Sequence, residues 1–237
     1  MENPSLLNRF LLLSYGDLKK YRFHYLFGFP ALNFPEPLKA TDNVPLFTMF
    51  NEEQRKQLQE SYEELRGYSD DSTNRTDEFA FLIIRNGDNI TTLKLCEWEK
   101  AIDNSDEILI GMSDPSGVDG HAGWPTRNLC ILIAVQMKSL LERNNNTIRI
   151  AFLRQWRKEF DESSFVSTIP ISPSSLDSKV PHSVGWEKDS KQKTRPKYIE
   201  LSSTMDPEQL AASQTSLNLQ LMKVIIRLIK IYNEILI

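Results

Sequence analysis

The stretch from residue 107 to residue 153 constrains the fold more than any other part of the chain. Residues 107–111 read as a short buried strand and residues 124–141 as a long helix with Pro125 in its first turn; Thr147–Leu153 reads as a second strand. Strands joined through a helix need a crossover connection, which predicts that the two lie parallel in one sheet. The helix should pack on that sheet through Leu129, Leu132, Ile133 and Met137. The expected class is therefore α/β (mixed α+β), a partly parallel sheet with packed helices.

The flanking regions extend this pattern. An apolar run covers residues 10–14, and Phe23, Tyr25, Phe27 and Phe29 alternate with period two before Pro30, a strand with one aromatic face. Pro35, Pro37 and Pro45 mark a loop. Residues 51–66 form a helix in which Asn51 can cap the N-terminus and Glu52 and Glu53 favour its dipole; an acidic loop, 69–78, follows. Strands are expected at 79–84 and 91–95 around Asn86-Gly87, a hairpin signal with a loop longer than two residues, and at 165–171. Residues 172–197, rich in Ser, Pro and Lys, read as one long surface loop. The final helix opens with Asp206 as cap, Pro207 at the first position and Glu208 in the first turn. Leu210, Leu217, Leu221, Val224, Ile225, Leu228 and Ile231 then recur at helical spacing. No internal repeat is present.

Composition narrows the function. The 237 residues are 40% hydrophobic and 25% charged, enough to bury a core without disulfides or metals. The net charge of −4 argues against a nucleic-acid binder driven by counterion release. Two cysteines, Cys96 and Cys130, without a C-x-x-C pair fit a reducing compartment. Glu2 and the short apolar run at 10–13 do not make a secretory signal, so the sequons at Asn74, Asn89 and Asn145 are expected to be idle. No run approaches the roughly 18 apolar residues of a membrane span.

Few residues invite chemistry. Gly117-Val-Asp-Gly120-His-Ala-Gly123 lies between a strand and a helix, where a phosphate could meet helix N-terminal amides. Its G-x-x-G-x-x-G spacing is not that of a dinucleotide loop, no Gly-Lys-Ser/Thr follows, and the next strand ends at Arg154 rather than an acidic ribose ligand. It reads as a tight structural loop, with a nucleotide site as the alternative. His24, His121 and His182 show no metal-ligand spacing. Cys96 and Cys130 read as core or semi-buried spectators. Charge is uneven: Lys188, Lys191, Lys193, Arg195 and Lys197 against Asp189 make that stretch +4, and Lys223, Arg227 and Lys230 against Glu234 make the tail +2, leaving −10 elsewhere. The basic stretch is either a solvated loop or a dock for an acidic partner. The tail is either a core-packed helix or an amphipathic one that self-associates or lies on an anionic membrane.

Four segments resemble one family. Glu2-Asn-Pro-Ser-Leu-Leu-Asn-Arg-Phe-Leu-Leu-Leu, with Asp17-Leu-Lys-Lys-Tyr21 and Phe29-Pro-Ala-Leu, is the first; Asp114-Pro with Gly123-Trp-Pro-Thr-Arg-Asn128 is the second. Val184-Gly-Trp-Glu-Lys188 is the third, and Met205-Asp-Pro207 with Leu210-Ala and Leu217-Asn-Leu-Gln-Leu-Met222 the fourth. In this order they resemble the N-terminal domain of the autophagy activating enzymes, relatives of the ubiquitin-activating enzymes. In that family this domain is a mixed α/β module that recruits the autophagy conjugating enzymes. A separate domain adenylates the modifier, carries the thioester cysteine and dimerises.

The resemblance implies that residues 1–222 are part of such an N-terminal domain and 223–237 a divergent amphipathic tail, with the adenylation and catalytic-cysteine domain absent. It further implies a protein-binding module, inactive alone, whose partners are the conjugating enzymes, with the modifiers engaged through the full-length enzyme. No catalytic, cofactor-binding or metal residue is then expected in this chain; ATP belongs to the other domain. A cytoplasmic location with recruitment to pre-autophagosomal structures follows. Trp124 and Arg127, in the most specific motif, are expected to fix the Gly-rich loop. The competing reading is a free-standing nucleotide-binding enzyme using Gly117, Gly120 and Gly123.

Overall fold

The computed structural model describes residues 4–67, 79–156, 159–178 and 181–235. Its elements, numbered in chain order, begin with β1 (Leu11–Asp17), β2 (Arg22–Leu32), β3 (Asn43–Pro45), α1 (Leu46–Met49), α2 (Glu52–Leu65), β4 (Ala80–Asn86) and β5 (Asn89–Lys94). Next come α3 (Trp98–Ile102), β6 (Glu107–Ser113), α4 (Pro125–Gln136), α5 (Lys138–Arg143), β7 (Thr147–Leu153), β8 (Gln155–Trp156), β9 (Glu159–Phe160) and β10 (Phe165–Pro170). The last are α6 (Ser175–Ser178), β11 (Ser183–Trp186), β12 (Lys197–Glu200), α7 (Ser202–Met205) and α8 (Pro207–Ile235). The chain divides into two compact units, one of Met1–Phe10 with Phe29–Gly185, the other of Leu11–Gly28 with Trp186–Ile237.

The first unit is built on a sheet of order β3-β10-β7-β6-β4-β5. Only β6 and β7 run parallel, paired from Ile110↔Ile150 to Ser113↔Leu153, as the strand, helix, strand pattern requires. Alternation along each strand sorts side chains between two cores. Leu82, Ile108, Ile110, Met112, Ile148, Ile150 and Phe152 meet Leu129, Cys130, Ile133, Met137, Leu140 and Leu141 of α4 and α5. Phe81, Ile83, Leu109, Ala151, Leu153 and Val166 meet Leu46, Phe50, Leu58 and Tyr62 of α1 and α2. Helices on both faces explain why β4 and β6 read as continuous apolar runs. The fold is the expected mixed α/β, and α2 begins with the expected cap: Asn51 Oδ1 accepts from Gln54 N–H at 2.9 Å, and Gln54 returns the bond to Asn51.

Three expectations need correction. The helix over 124–141 is two helices, because Met137 adopts φ −113°, ψ 39° between α4 and α5. The apolar pattern runs through the break since Met137 is fully buried and stays bonded on both sides, to Ile133 O at 2.9 Å and from Leu141 N–H at 3.1 Å. The β4–β5 loop is shorter than expected: pairing continues to Asn86↔Asn89, leaving the two residues Gly87 and Asp88. Asn86 holds the ladder open that far by bonding Asn104 O and Asp106 N–H, contacts invisible to an apolar pattern. Residues 172–197 are not one structureless loop, since α6 and β11 lie within it. At Gly185, φ is +108° and a Cβ would meet Phe29 O at 1.8 Å, so only glycine can stand there.

In the second unit, β2 is flanked by β1, paired from Leu11↔Gly28 to Asp17↔Arg22, and by β12, paired from Lys197↔Tyr25 to Glu200↔Arg22. α8 starts as expected, with Asp206 Oδ1 accepting from Glu208 N–H at 3.0 Å. Leu210, Leu217, Leu219 and Met222 are all exposed, and the apolar positions on which the core-packed and amphipathic readings of the tail rest, Val224 to Ile235, have side chains outside the described ones, as does Leu221.

Candidate protein-binding groove

The site grows from the connection between β6 and α4. Asp114, just past β6, has a fully buried carboxylate. Its Oδ1 accepts from Ser116 N–H at 3.1 Å and Gly123 N–H at 2.8 Å; its Oδ2 pairs with Arg154 Nε and Nη2 at 3.2 and 3.1 Å. Arg154 Nη2 also donates to Val118 O and His121 O at 2.8 and 2.9 Å. One buried ion pair therefore fixes both ends and the middle of the 117–123 loop. A Cβ on Gly123 would stand 2.7 Å from Asp114 Oδ1, so glycine is needed for this approach.

Asp114 and Arg154 bind this loop directly, whereas the side-chain contacts of Trp124 and Arg127, expected to fix it, run to Asn33 and to each other. The sequence identified Arg154 only as a residue that cannot hold a ribose. Its partner lies 40 positions away, beyond any spacing rule. Much of the loop's amide capacity is turned inward rather than toward a ligand. Ser116, Val118, His121 and Gly123 donate within the loop, Thr126 N–H donates to Gly123 O, Arg127 N–H donates to Trp124 O, and Pro125 has no N–H.

The rest of the Gly123–Asn128 motif builds a wall. Pro125 takes the first position of α4. Asn128 donates to Leu7 O and Pro30 O, both at 3.0 Å, and accepts from Leu32 N–H at 2.9 Å, tying the helix to two distant segments. Arg127 donates to Asn33 Oδ1, and its guanidinium lies 4.9 Å from the Trp124 ring centre. Asn33 N–H in turn donates to His182 O at 3.0 Å, and their side chains meet at 3.2 Å. Between this wall and residues 32–40 runs a groove of about 790 Å³, lined by Phe34, Pro35, Leu38, Trp124 and Arg127 and floored by Cys130 and Ile169. Trp124 is 50% exposed, a large aromatic side chain facing solvent beside a cation with no ion-pair partner among the described residues.

The other candidates fall elsewhere. His182 lines the groove, His121 bonds Asp119 O at 2.8 Å, and His24 belongs to the second unit; among the described residues no group of His, Cys, Asp and Glu could hold a metal. Cys130 is buried as expected, and burial pushes its thiol up to about 12. Cys96 is exposed, not semi-buried, because it sits in the turn after β5. In the basic stretch, Arg195 approaches Asp189 at 3.9 Å and Lys197 is paired with Glu187, whose hydrogen bond raises the lysine's pKa. Lys188, Lys191 and Lys193 are exposed and unpaired among the described residues.

The fold defines a mixed α/β domain with an open groove beside the start of α4. A family model described as the ubiquitin-like modifier-activating enzyme ATG7 N-terminus matches residues 1–205, and the chain belongs to that family. The chain is 34% identical over 228 residues to the ubiquitin-like modifier-activating enzyme ATG7 of Gallus gallus and 31% to that of Homo sapiens, each alignment covering 94% of this chain. It spans 31% of the length of these curated relatives. Among solved structures, Kluyveromyces marxianus Atg7NTD is similar in fold: TM-score 0.51 and 21% identity, covering 82% of this chain and 57% of that one. The Kluyveromyces marxianus Atg7NTD-Atg10 complex aligns with a TM-score of 0.49 and 20% identity, over 85% and 61% of the two chains.

Proposed function

We propose that the chain is a recruitment module whose groove holds a segment of an autophagy conjugating enzyme, binding that partner without activating a modifier itself. The observation that carries this reading is that the family motif Gly123–Asn128 both braces the groove and supplies its two most prominent side chains, Trp124 and Arg127. Trp and Arg are among the residue types enriched where a few side chains carry most of an interface's binding energy. On this reading ATP and the thioester cysteine belong to the remaining length of the relatives, and the modifiers are engaged there. The module works in the cytoplasm and travels with its partner to pre-autophagosomal structures. Neither cysteine takes an acyl group: Cys130 is buried as a neutral thiol, and Cys96 has no base built against it among the described residues.

The test is calorimetric titration of the chain with a conjugating enzyme, using Trp124→Ala and Arg127→Ala beside the parent. Each substitution should weaken binding about tenfold or more while Tm stays within a degree or two. Unchanged affinity in both variants would remove the groove from the interface, and a modifier thioester on Cys96 or Cys130 would overturn the non-catalytic reading.

A further inference from the structure

The second unit has surface that its own residues do not cover. None of its described apolar side chains is buried in a core. Among the described residues β1 pairs only with β2, and Leu11, Leu12 and Leu13 are 47, 50 and 60% exposed, so apolar side chains project from both of its faces. At the hairpin tip Leu18 is 70% exposed, next to Lys19 and Lys20. Register sets Leu13 and Tyr15 of β1, Leu26 and His24 of β2, and Tyr198 of β12 on one sheet face. Leu13, Tyr15, His24, Leu26 and Pro196 line an apolar depression of about 470 Å³.

Charge distinguishes this unit as well. It carries eleven Lys and Arg against seven Asp and Glu, a net +4 in a chain whose total is −4. Lys188, Lys191 and Lys193 stand exposed on a loop that runs into Pro196 at the rim of the sheet face. Asp189 gives that loop a fixed shape, its Oδ1 accepting from Lys191 N–H and Lys193 N–H, both at 2.9 Å.

We propose that this unit binds an anionic lipid bilayer, seating the β1–β2 sheet face and hairpin tip in the interface and setting the lysines of the 187–195 loop against the headgroups. An anionic bilayer offers apolar depth and headgroup charge together, and it accepts side chains from both faces of a strand. Here, exposed leucines on both faces of β1, with unpaired lysines close by, favour the bilayer.

The full chain is tested by co-sedimentation with phosphatidylcholine vesicles, with and without phosphatidylserine, beside Leu13→Asp and the triple variant Lys188→Glu, Lys191→Glu, Lys193→Glu. Every substituted side chain is exposed, so circular dichroism and Tm should match the parent. Binding should require phosphatidylserine, weaken with added salt, and fall on the order of 100-fold in the triple variant, since each lysine at such a surface contributes roughly fivefold. Leu13→Asp should abolish it. Three results would overturn the proposal. The first is binding to neither vesicle. The second is equal binding to both. The third is capture of polyglutamate without vesicle binding, or a dimer in sedimentation velocity that Leu13→Asp makes monomeric without vesicle binding; either would assign the surface to an acidic protein segment or to a second copy.

Discussion

Arg154 shows how much one side chain carries. It is 7% exposed, neutralises a carboxylate with no exposure at all, and satisfies two loop carbonyls. Removing one member of such a pair strands the other without solvent, at a cost of about 3–5 kcal/mol. Arg154→Met should lower stability to urea by that amount and loosen the loop that forms the groove wall; a midpoint equal to the parent's would show that the pair is not what holds the loop. Cys130 makes a pH-dependent statement. Its thiol is shifted from 9.0 to about 12 in the folded chain, so the folded state holds that proton more tightly than the unfolded state does. The resulting stability is fully present below about pH 9 and is lost as pH rises toward 12. Cys130→Ala should therefore lose less stability than the parent between those values. At pH 8 a thiol reagent should label Cys96 in the native chain and Cys130 only after unfolding; labelling of both at once would contradict the burial. The burial of Cys130 was legible from its neighbours Leu129, Ile131 and Leu132, but the Asp114–Arg154 pair was not, because nothing in the sequence signals a contact across 40 positions.

At the scale of elements, local rules did well where the signal was local. The cap at Asn51, Pro125 at the head of α4, Asp206 before α8 and the exact span of β7 all follow from neighbouring residues. They failed where a distant partner decided the outcome. Met137 leaves helical geometry while staying buried and bonded, and β11 forms in a Ser- and Pro-rich stretch around Gly185. Ile133 tests the packing of α4 on the sheet. It is fully buried among Leu129, Met137 and the β6–β7 side chains, and an aspartate there would be an unpaired charge in a closed core. Ile133→Asp should cost about 4 kcal/mol or more, a fall in Tm of roughly 10 °C or more. A fall of only a degree or two would contradict the assignment of α4 to that core.

At the scale of the whole molecule, the two units differ in what holds them. The first has two cores flanking a six-stranded sheet; the second has strand pairing and surface ion pairs, such as Arg22 with Glu200 at 3.1 Å, but no buried apolar side chain among its described residues. Amide exchange should follow that division, slowest in β6 and β7 and faster by orders of magnitude in β1; equal protection would mean that β1 is covered in solution. Composition alone could not show this, because the apolar residues of β1 look like core until their exposure is known. On the proposed reading, the groove beside Gly123–Asn128 is where the chain holds its partner. The most direct test is hydrogen exchange of the full chain with and without a conjugating enzyme. New protection should appear at residues 33–38 and 122–127, and Trp124→Ala should remove it. Protection confined to other surfaces, with those two segments unchanged, would contradict it.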